Sequence, residues 1–96
     1  MEQLSRYDVA RYEGVLMVVV ESDLLPPDPA VLVIPLLPDY PAVKLLNPDI
    51  QFEAVRLVLA TRLIAAVRRA SLQRVGNVAD QGDQITRAVD VLMAGV

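Results

Sequence analysis

The first half of the chain alternates between short apolar runs and proline-rich breaks, and this alternation limits the fold more than any other feature. Residues 15–20 (VLMVVV) and 30–37 (AVLVIPLL) are rich in β-branched side chains, which favour strands. The segments PPDP, PDYP and Asn47-Pro48 interrupt them and are typical of turns. Short strands joined by such turns predict a small antiparallel barrel or sandwich, not β–α–β units.

Two details of this half give specific expectations. Pro35 lies inside the second run, and because proline has no backbone N–H, that strand is expected at a sheet edge or to end near this residue. Residues 42–46 (AVKLL) are expected to form a short extended piece before the Asn47-Pro48 turn.

Residues 51–74 carry conflicting local signals. Ala, Leu and Arg are strong helix formers and fill this stretch, so propensity alone favours one long helix. The part VRLVLAT also alternates, and its Val and Thr residues favour a strand. Propensity therefore favours a helix for residues 51–74 and leaves strands as the alternative.

The last segment has a clear helical period, which predicts an amphipathic helix over about residues 80–94. Its apolar stripe consists of Ile85, Ala88, Val89, Leu92, Met93 and Val96. Asp80 or Asp83 is expected to cap the start of the helix, and Gly95 stands where helices take a left-handed residue. The stripe is longer than one small sheet needs, so it predicts a dimer with the helix ends near the two-fold axis.

Composition narrows the functional classes. The chain has no Cys and no His, which excludes disulfides and thiolate metal sites and removes the commonest general base, so no cofactor is expected. An apolar share of 54% in 96 residues predicts one domain, with surface left for a partner. The polar start and the short apolar runs predict a soluble, cytoplasmic protein.

Charge is unevenly distributed along the chain. Residues 54–79 contain five arginines and no acid, whereas the whole chain has a net charge of −3. An acidic chain without Trp lacks the usual footprint of a nucleic-acid binder, so no direct contact with nucleic acid is expected. We interpret the arginines as a solvated face or as a complement to an acidic partner.

No pattern in the chain indicates catalysis, and we do not expect an enzyme. Ser5, Ser22 and Ser71 have no histidine to activate them. The acids Glu21 and Asp23 follow a strand and are interpreted as part of a solvated turn. Thr61 and Arg62 are a weak candidate for a nuclease that uses a hydroxyl and a guanidinium.

The order of several segments resembles the CcdB toxins of bacterial type II toxin–antitoxin modules. The first is VESDLL after a strand, followed by VLVIPLLP. The second is LLNPDIQFEAVRLVLATRLIAAV, where the family has a Leu-Asn-Pro turn, a hairpin and an Ile-Ala-Ala stretch. The third is VADQGDQITRAVDVLMAGV, which is similar to the family's closing helix. The likeness lies in combined order and spacing, and it covers nearly the whole chain.

The resemblance implies a single CcdB-like domain over residues 1–96: an SH3-like antiparallel β core of the CcdB/MazF type over about 1–76, a C-terminal helix over about 80–94, and a homodimer. It implies a hairpin at residues 51–61 and irregular or short-strand structure from 64 to 74, in place of the helix that propensity favours. It also implies a plasmid-maintenance toxin that is no enzyme, that binds the A subunit of DNA gyrase and traps the cleaved DNA complex, and that a partly disordered CcdA-like antitoxin neutralises.

The resemblance also implies functional residues. The family's last three residues contact gyrase, and here they are Ala94, Gly95 and Val96. The best-known members have Trp-Gly-Ile there, so Ala94 lacks the aromatic anchor. An acidic antitoxin segment is expected along the surface that carries Arg56, Arg68, Arg69 or Arg74. Two alternatives stay open: a homologue with a weak or different target, and a ribonuclease toxin on the same barrel.

Overall fold

The computed structural model describes residues 3–95 and shows a β-dominated fold with one C-terminal helix, which confirms the predicted fold class. The strands are β1 (Asp8–Tyr12), β2 (Val15–Val19), β3 (Ala30–Leu37), β4 (Asp49–Phe52), β5 (Val55–Leu59), β6 (Ala65–Arg68) and β7 (Gln73–Asn77). Single 3-10 turns cover Thr61–Leu63, Arg69–Ser71 and Ala79–Gln81, and helix α1 covers Gly82–Ala94.

The strands form one antiparallel sheet with the order β4-β5-β3-β2-β1-β7, and β6 pairs with β3 beside β5. The two ends of this order approach each other without pairing, because the ring of Phe52 on β4 packs against the backbone of Gly76 on β7. The sheet is therefore curled into a half-barrel.

Alternation along the strands separates the core into two clusters. Neighbouring residues such as Val9 and Ala10 point to opposite faces of the sheet. Val9 belongs to the large cluster, which α1 covers with Ile85 and Ala88. Ala10 belongs to a smaller cluster that is completed by Leu72. Burial on both faces explains why the strands read as continuous apolar runs.

Strand β3 is central, so the expectation that Pro35 marks an edge or a strand end is wrong. The strand continues to Leu37 and pairs with β2 on one side and with β6 and β5 on the other. The carbonyl of Pro35 accepts a hydrogen bond from the N–H of Ala60 (2.9 Å). The N–H and the carbonyl of one residue in an antiparallel strand point to the same side, so the nitrogen of Pro35 faces the side where the pairing partner of β3 changes from β6 to β5. No ladder bond is lost at that junction, and proline is tolerated there.

Residues 43–47 form a turn, so the short extended piece expected at residues 42–46 is wrong. The N–H groups of Leu46 and Asn47 both donate to the carbonyl of Val43, at 3.1 and 2.8 Å. The buried Asn47 side chain closes the turn by accepting from the N–H of Val43 and donating to the carbonyl of Leu59. The Asn47 side chain thus makes two hydrogen bonds, which explains why the Leu-Asn-Pro sequence stabilises a turn here.

The long helix that propensity favours over residues 51–74 is wrong, and the hairpin implied by the resemblance is confirmed. Strands β4 and β5 pair from Asp49↔Val58 to Phe52↔Val55, and β6 pairs with β3. Leu57, Val58 and Leu59 are buried, and their burial in the sheet outweighs the small helix preference of Leu and Arg.

Helix α1 has the predicted period but not the predicted cap. It begins at Gly82, and neither Asp80 nor Asp83 caps it, because the N-cap residue is Gln81 and its side chain makes no capping bond. The left-handed end at Gly95 is confirmed, with φ of 71°. Among residues 3–95, no helix is long and apolar enough to cross a membrane.

The contact between Gly76 and Phe52 gives a prediction about stability. A Cβ atom at Gly76 would lie 2.5 Å from Cε1 of the Phe52 ring, which is buried. We expect Gly76→Ala to lower the free energy of unfolding by about 1–3 kcal/mol, because the ring has to move. Urea denaturation measures this loss. The penalty should shrink in a Phe52→Leu background, and an equal loss in both backgrounds would contradict the packing explanation.

Candidate functional site

The C-terminal half of α1 extends beyond the core that buries its first half. Ile85 and Ala88 are fully buried, whereas Leu92 is half-buried and Met93 is 77% exposed. The apolar stripe therefore continues past the surface that the sheet covers. Within one copy of the chain, the last turn of the helix presents apolar side chains to solvent.

The end of this helix is conformationally defined. Ala94 and Gly95 are exposed, and the N–H of Gly95 donates to the carbonyl of Val91 (2.8 Å). The left-handed conformation of Gly95 ends the helix abruptly. Two of the three residues expected to contact gyrase are thus presented together, and the third, Val96, lies outside the described residues.

A cluster of polar contacts fastens α1 to the start of β1. The hydroxyl groups of Tyr7 and Thr86 are 2.6 Å apart, and a guanidinium N–H of Arg6 donates to the same threonine oxygen (3.1 Å). The Arg6 guanidinium also lies 5.0 Å from the centre of the Tyr7 ring, which is close enough for a cation–π contact.

The backbone of Tyr7 is itself held in place. It lies in the left-handed region with φ of 73°, its N–H donates to Val19 (2.8 Å), and its carbonyl accepts from Val78 (2.9 Å). A non-glycine residue adopts this conformation only where its surroundings compensate the cost. The Tyr7 side chain that contacts Thr86 on α1 therefore extends from a backbone that is held by two hydrogen bonds.

An exposed loop between β2 and β3 is tied to the same cluster. The backbone N–H of Arg6 donates to the Asp23 carboxylate (2.8 Å), and the N–H of Leu24 donates to the Ser22 hydroxyl (3.1 Å). Leu24 is nevertheless 94% exposed. A fixed loop that presents a bare apolar side chain is a second candidate contact surface.

Sequence reasoning missed this loop surface. The available signal was the pair Leu24-Leu25 directly before Pro26-Pro27, because two apolar residues in a turn segment have no strand to bury them. Glu21 and Asp23 were interpreted as a solvated turn, but Glu21 is half-buried and its carboxylate lies 3.7 Å from the Arg69 guanidinium.

The four arginines expected to contact the antitoxin are not equivalent. Arg56 on β5 and Arg68 at the end of β6 are exposed, and Arg56 makes only a surface ion pair with Asp49 (3.4 Å). The side chain of Arg69 is 16% exposed, and its Nε donates to the carbonyl of Asp28 (3.0 Å).

Arg74 has a structural partner of its own. Its Nε lies 3.1 Å from the carboxylate of Asp8, which is buried at 3% exposure and also accepts from the Asn77 side chain (2.9 Å). Removing a partner from a buried carboxylate is costly. Because β5, β6 and β7 are not neighbours in the sheet, strand pairing does not bring the four arginines into one row.

The candidate nuclease pair is not arranged for catalysis. Thr61 is fully buried and its hydroxyl donates to the carbonyl of Leu46, so the oxygen is not open to a substrate. Arg62 next to it is exposed. Residues 3–95 bring together no group of three or more acidic side chains that could hold a metal ion.

The chain is similar to a known protein family. Residues 5–95 match the family model described as CcdB protein, which covers nearly the whole chain. No curated protein matches the chain.

Proposed function

The chain belongs to the CcdB family of toxins from toxin–antitoxin modules, and on this premise we propose that it inhibits DNA gyrase by binding the A subunit and trapping the cleaved DNA complex. The match over residues 5–95 is the observation that carries this proposal. It includes the helix and the loop that present apolar residues to solvent.

The geometry of the helix end supports a contact role for Ala94 and Gly95, with Val96 as the next residue. Both described residues are exposed at the end of a helix whose Thr86 is hydrogen-bonded to Tyr7, directly before β1. A rigid support reduces the entropy lost on binding. The small side chain of Ala94, however, offers little area to a partner.

The missing aromatic residue favours a second candidate function. A protein with the same fold, dimer and antitoxin binding would have a weak or different target if its anchor were lost. Ala94 in place of the family's Trp is the observation behind this alternative. A ribonuclease on the same barrel is less well supported, because the Thr61 hydroxyl is buried.

The test is a pair of assays on the same purified protein. In the first, gyrase, ATP and supercoiled plasmid are incubated with the protein, and linear DNA that appears after detergent and protease reports the trapped cleavage complex. In the second, a mixed RNA substrate is incubated without gyrase. Linear DNA with intact RNA supports the proposal, RNA cleavage supports the ribonuclease, and neither product supports the homologue with another target.

We also propose that the protein acts as a homodimer, with the exposed ends of two α1 helices near the two-fold axis. Met93 is exposed and Leu92 is half-buried, so the sheet leaves part of the apolar stripe uncovered. A two-fold axis at this end would cover both copies of them and place two copies of Ala94 and Gly95 side by side.

The expected antitoxin contact gives a prediction about salt dependence. We propose that an acidic antitoxin segment lies against Arg56 and Arg68, two of the exposed arginines, and not against Arg74, which is exposed but bound to the buried Asp8 carboxylate. Each reversal, Arg56→Glu or Arg68→Glu, should weaken binding by roughly twofold to tenfold at low salt, and the effect should shrink at high salt. Titration calorimetry at two salt concentrations measures both.

The matched control is Arg11→Glu, which reverses an exposed arginine on β1. Arg74 is unsuitable for reversal, because its loss would leave the buried Asp8 carboxylate without a cation. Equal weakening by all three variants, or an affinity that does not change with salt, would contradict the specific contact.

A further inference from the structure

Strand β4 ends the sheet order, and among residues 3–95 it pairs with β5 alone. The hairpin turns at Glu53 and Ala54, which both have positive φ, and places Phe52 opposite Val55. In a two-residue hairpin this flanking pair is hydrogen-bonded, and bonded and non-bonded pairs then alternate along the strands. The N–H and C=O of Gln51 therefore point away from β5.

The side chain of Gln81 occupies this outward edge. The N–H of Gln51 donates to the Gln81 amide oxygen, and the Gln81 amide nitrogen donates to the Gln51 carbonyl, both at 2.8 Å. A primary amide bound in this way makes the same two hydrogen bonds as one residue of an antiparallel strand. One side chain thus takes the place of a neighbouring strand.

The position of Gln81 makes this arrangement informative. It is the N-cap residue of α1, where side chains commonly bond to the first N–H groups of the helix. Gln81 makes no such bond and gives both ends of its amide to β4. The start of α1 therefore has no side-chain cap, because the Gln81 amide is bound to the edge of β4.

We propose that Gln81 is an edge-blocking residue that keeps β4 from pairing with β4 of a second copy of this chain. Gln51 is exposed, and an uncovered strand edge is a template for pairing with another chain. Two β4 strands related by a two-fold axis through Gln51 would exchange both hydrogen bonds reciprocally. The Gln81 amide already holds the atoms that this contact requires.

A second obstacle accompanies the first. In a two-fold pairing centred on Gln51, the ladder ends at Ile50 and Phe52 because Glu53 already belongs to the turn, and Asp49 of one copy approaches Glu53 of the other across that end. Like charges brought close together at the end of a strand pair destabilise it. Removal of the Gln81 amide and reversal of the Glu53 charge should therefore both be needed before two β4 strands pair fully.

The experiment compares Gln81→Ala, Glu53→Lys and the double variant with the wild-type protein. Gln81→Ala should accelerate hydrogen exchange at the Gln51 amide by about tenfold, because that N–H loses its partner. The double variant should sediment at twice the mass of the wild-type species or more at the same concentration, because each copy of the chain has its own β4 edge. Glu53→Lys alone should sediment as the wild type, since Gln81 still covers the edge.

Two further variants identify the contact. Gln84→Ala removes an exposed glutamine from the next turn of α1 and should change neither readout. Gln51→Pro in the double variant removes the outward N–H of β4 and should restore the wild-type mass. Unchanged exchange in Gln81→Ala, a double variant that sediments as the wild type, or association that survives Gln51→Pro would each overturn the proposal.

Discussion

Replacing Ala94 with Trp is expected to strengthen gyrase binding by roughly 30-fold to 1,000-fold, the equivalent of about 2–4 kcal/mol for a buried aromatic anchor. Ala94 is exposed at the last position of α1, so the larger side chain has room and the core is not disturbed. The concentration of protein that yields half-maximal linear DNA in the gyrase assay measures the gain.

The control for unspecific adhesion is Ala70→Trp, which puts the same ring on an exposed alanine far along the chain from the helix end. It should leave gyrase inhibition at the wild-type level. If the wild type is inactive but Ala94→Trp inhibits, the fold is kept and the original target is largely lost. If Ala94→Trp inhibits no better than Ala70→Trp, the helix end is not the gyrase site.

A C-terminal extension tests the same site in the opposite direction. A few residues added after Val96 should abolish inhibition by the wild type and by Ala94→Trp, because they would cover the exposed residues at the end of α1. If inhibition survives the extension, the target contact lies on another surface. The exposed loop with Leu24 is the structural candidate for that surface.

The second large effect is expected at the proposed dimer interface. Met93 lies on the apolar stripe, and in one copy its side chain is 77% exposed. Contact with a second copy would bury this side chain. Met93→Glu would place a charge in that contact. The dissociation constant of the dimer should rise at least about 30-fold, the equivalent of about 2 kcal/mol.

Sedimentation equilibrium over a range of concentrations measures this change, and far-UV circular dichroism checks that the fold is retained. The matched control is Gln84→Glu, which adds the same charge to an exposed position on the first half of α1. A wild-type protein that is monomeric at micromolar concentration would contradict the dimer. So would equal dissociation of the two variants.

Several features of the fold were predictable because local interactions decide them. The β-branched run before PPDP predicted β2, and the apolar residues at helical spacing predicted α1. The left-handed end at Gly95 also follows from the sequence, since glycine adopts this conformation without steric cost. Each of these elements depends on residues within one or two turns of the chain.

Strands β6 and β7 could not be predicted in the same way. β7 pairs with β1 near the other end of the chain, and β6 pairs with β3. The helix formers in residues 51–74 are strands because distant partners supply backbone hydrogen bonds and bury Leu57 and Leu72. Such long-range burial outweighs propensity differences of about 0.7 kcal/mol or less per residue.

For the candidate site, the sequence alone determined the fold class, the helix whose apolar stripe exceeds one core, and the small residue at position 94. The tertiary structure alone decided which arginines are engaged within the fold, because Asp8 and Glu21, distant in sequence, bind Arg74 and Arg69. It also decided that Gln81 closes β4 instead of capping α1. A polar side chain bonds to whichever unpaired group the fold brings within about 3 Å, and that choice exists only after the chain has folded.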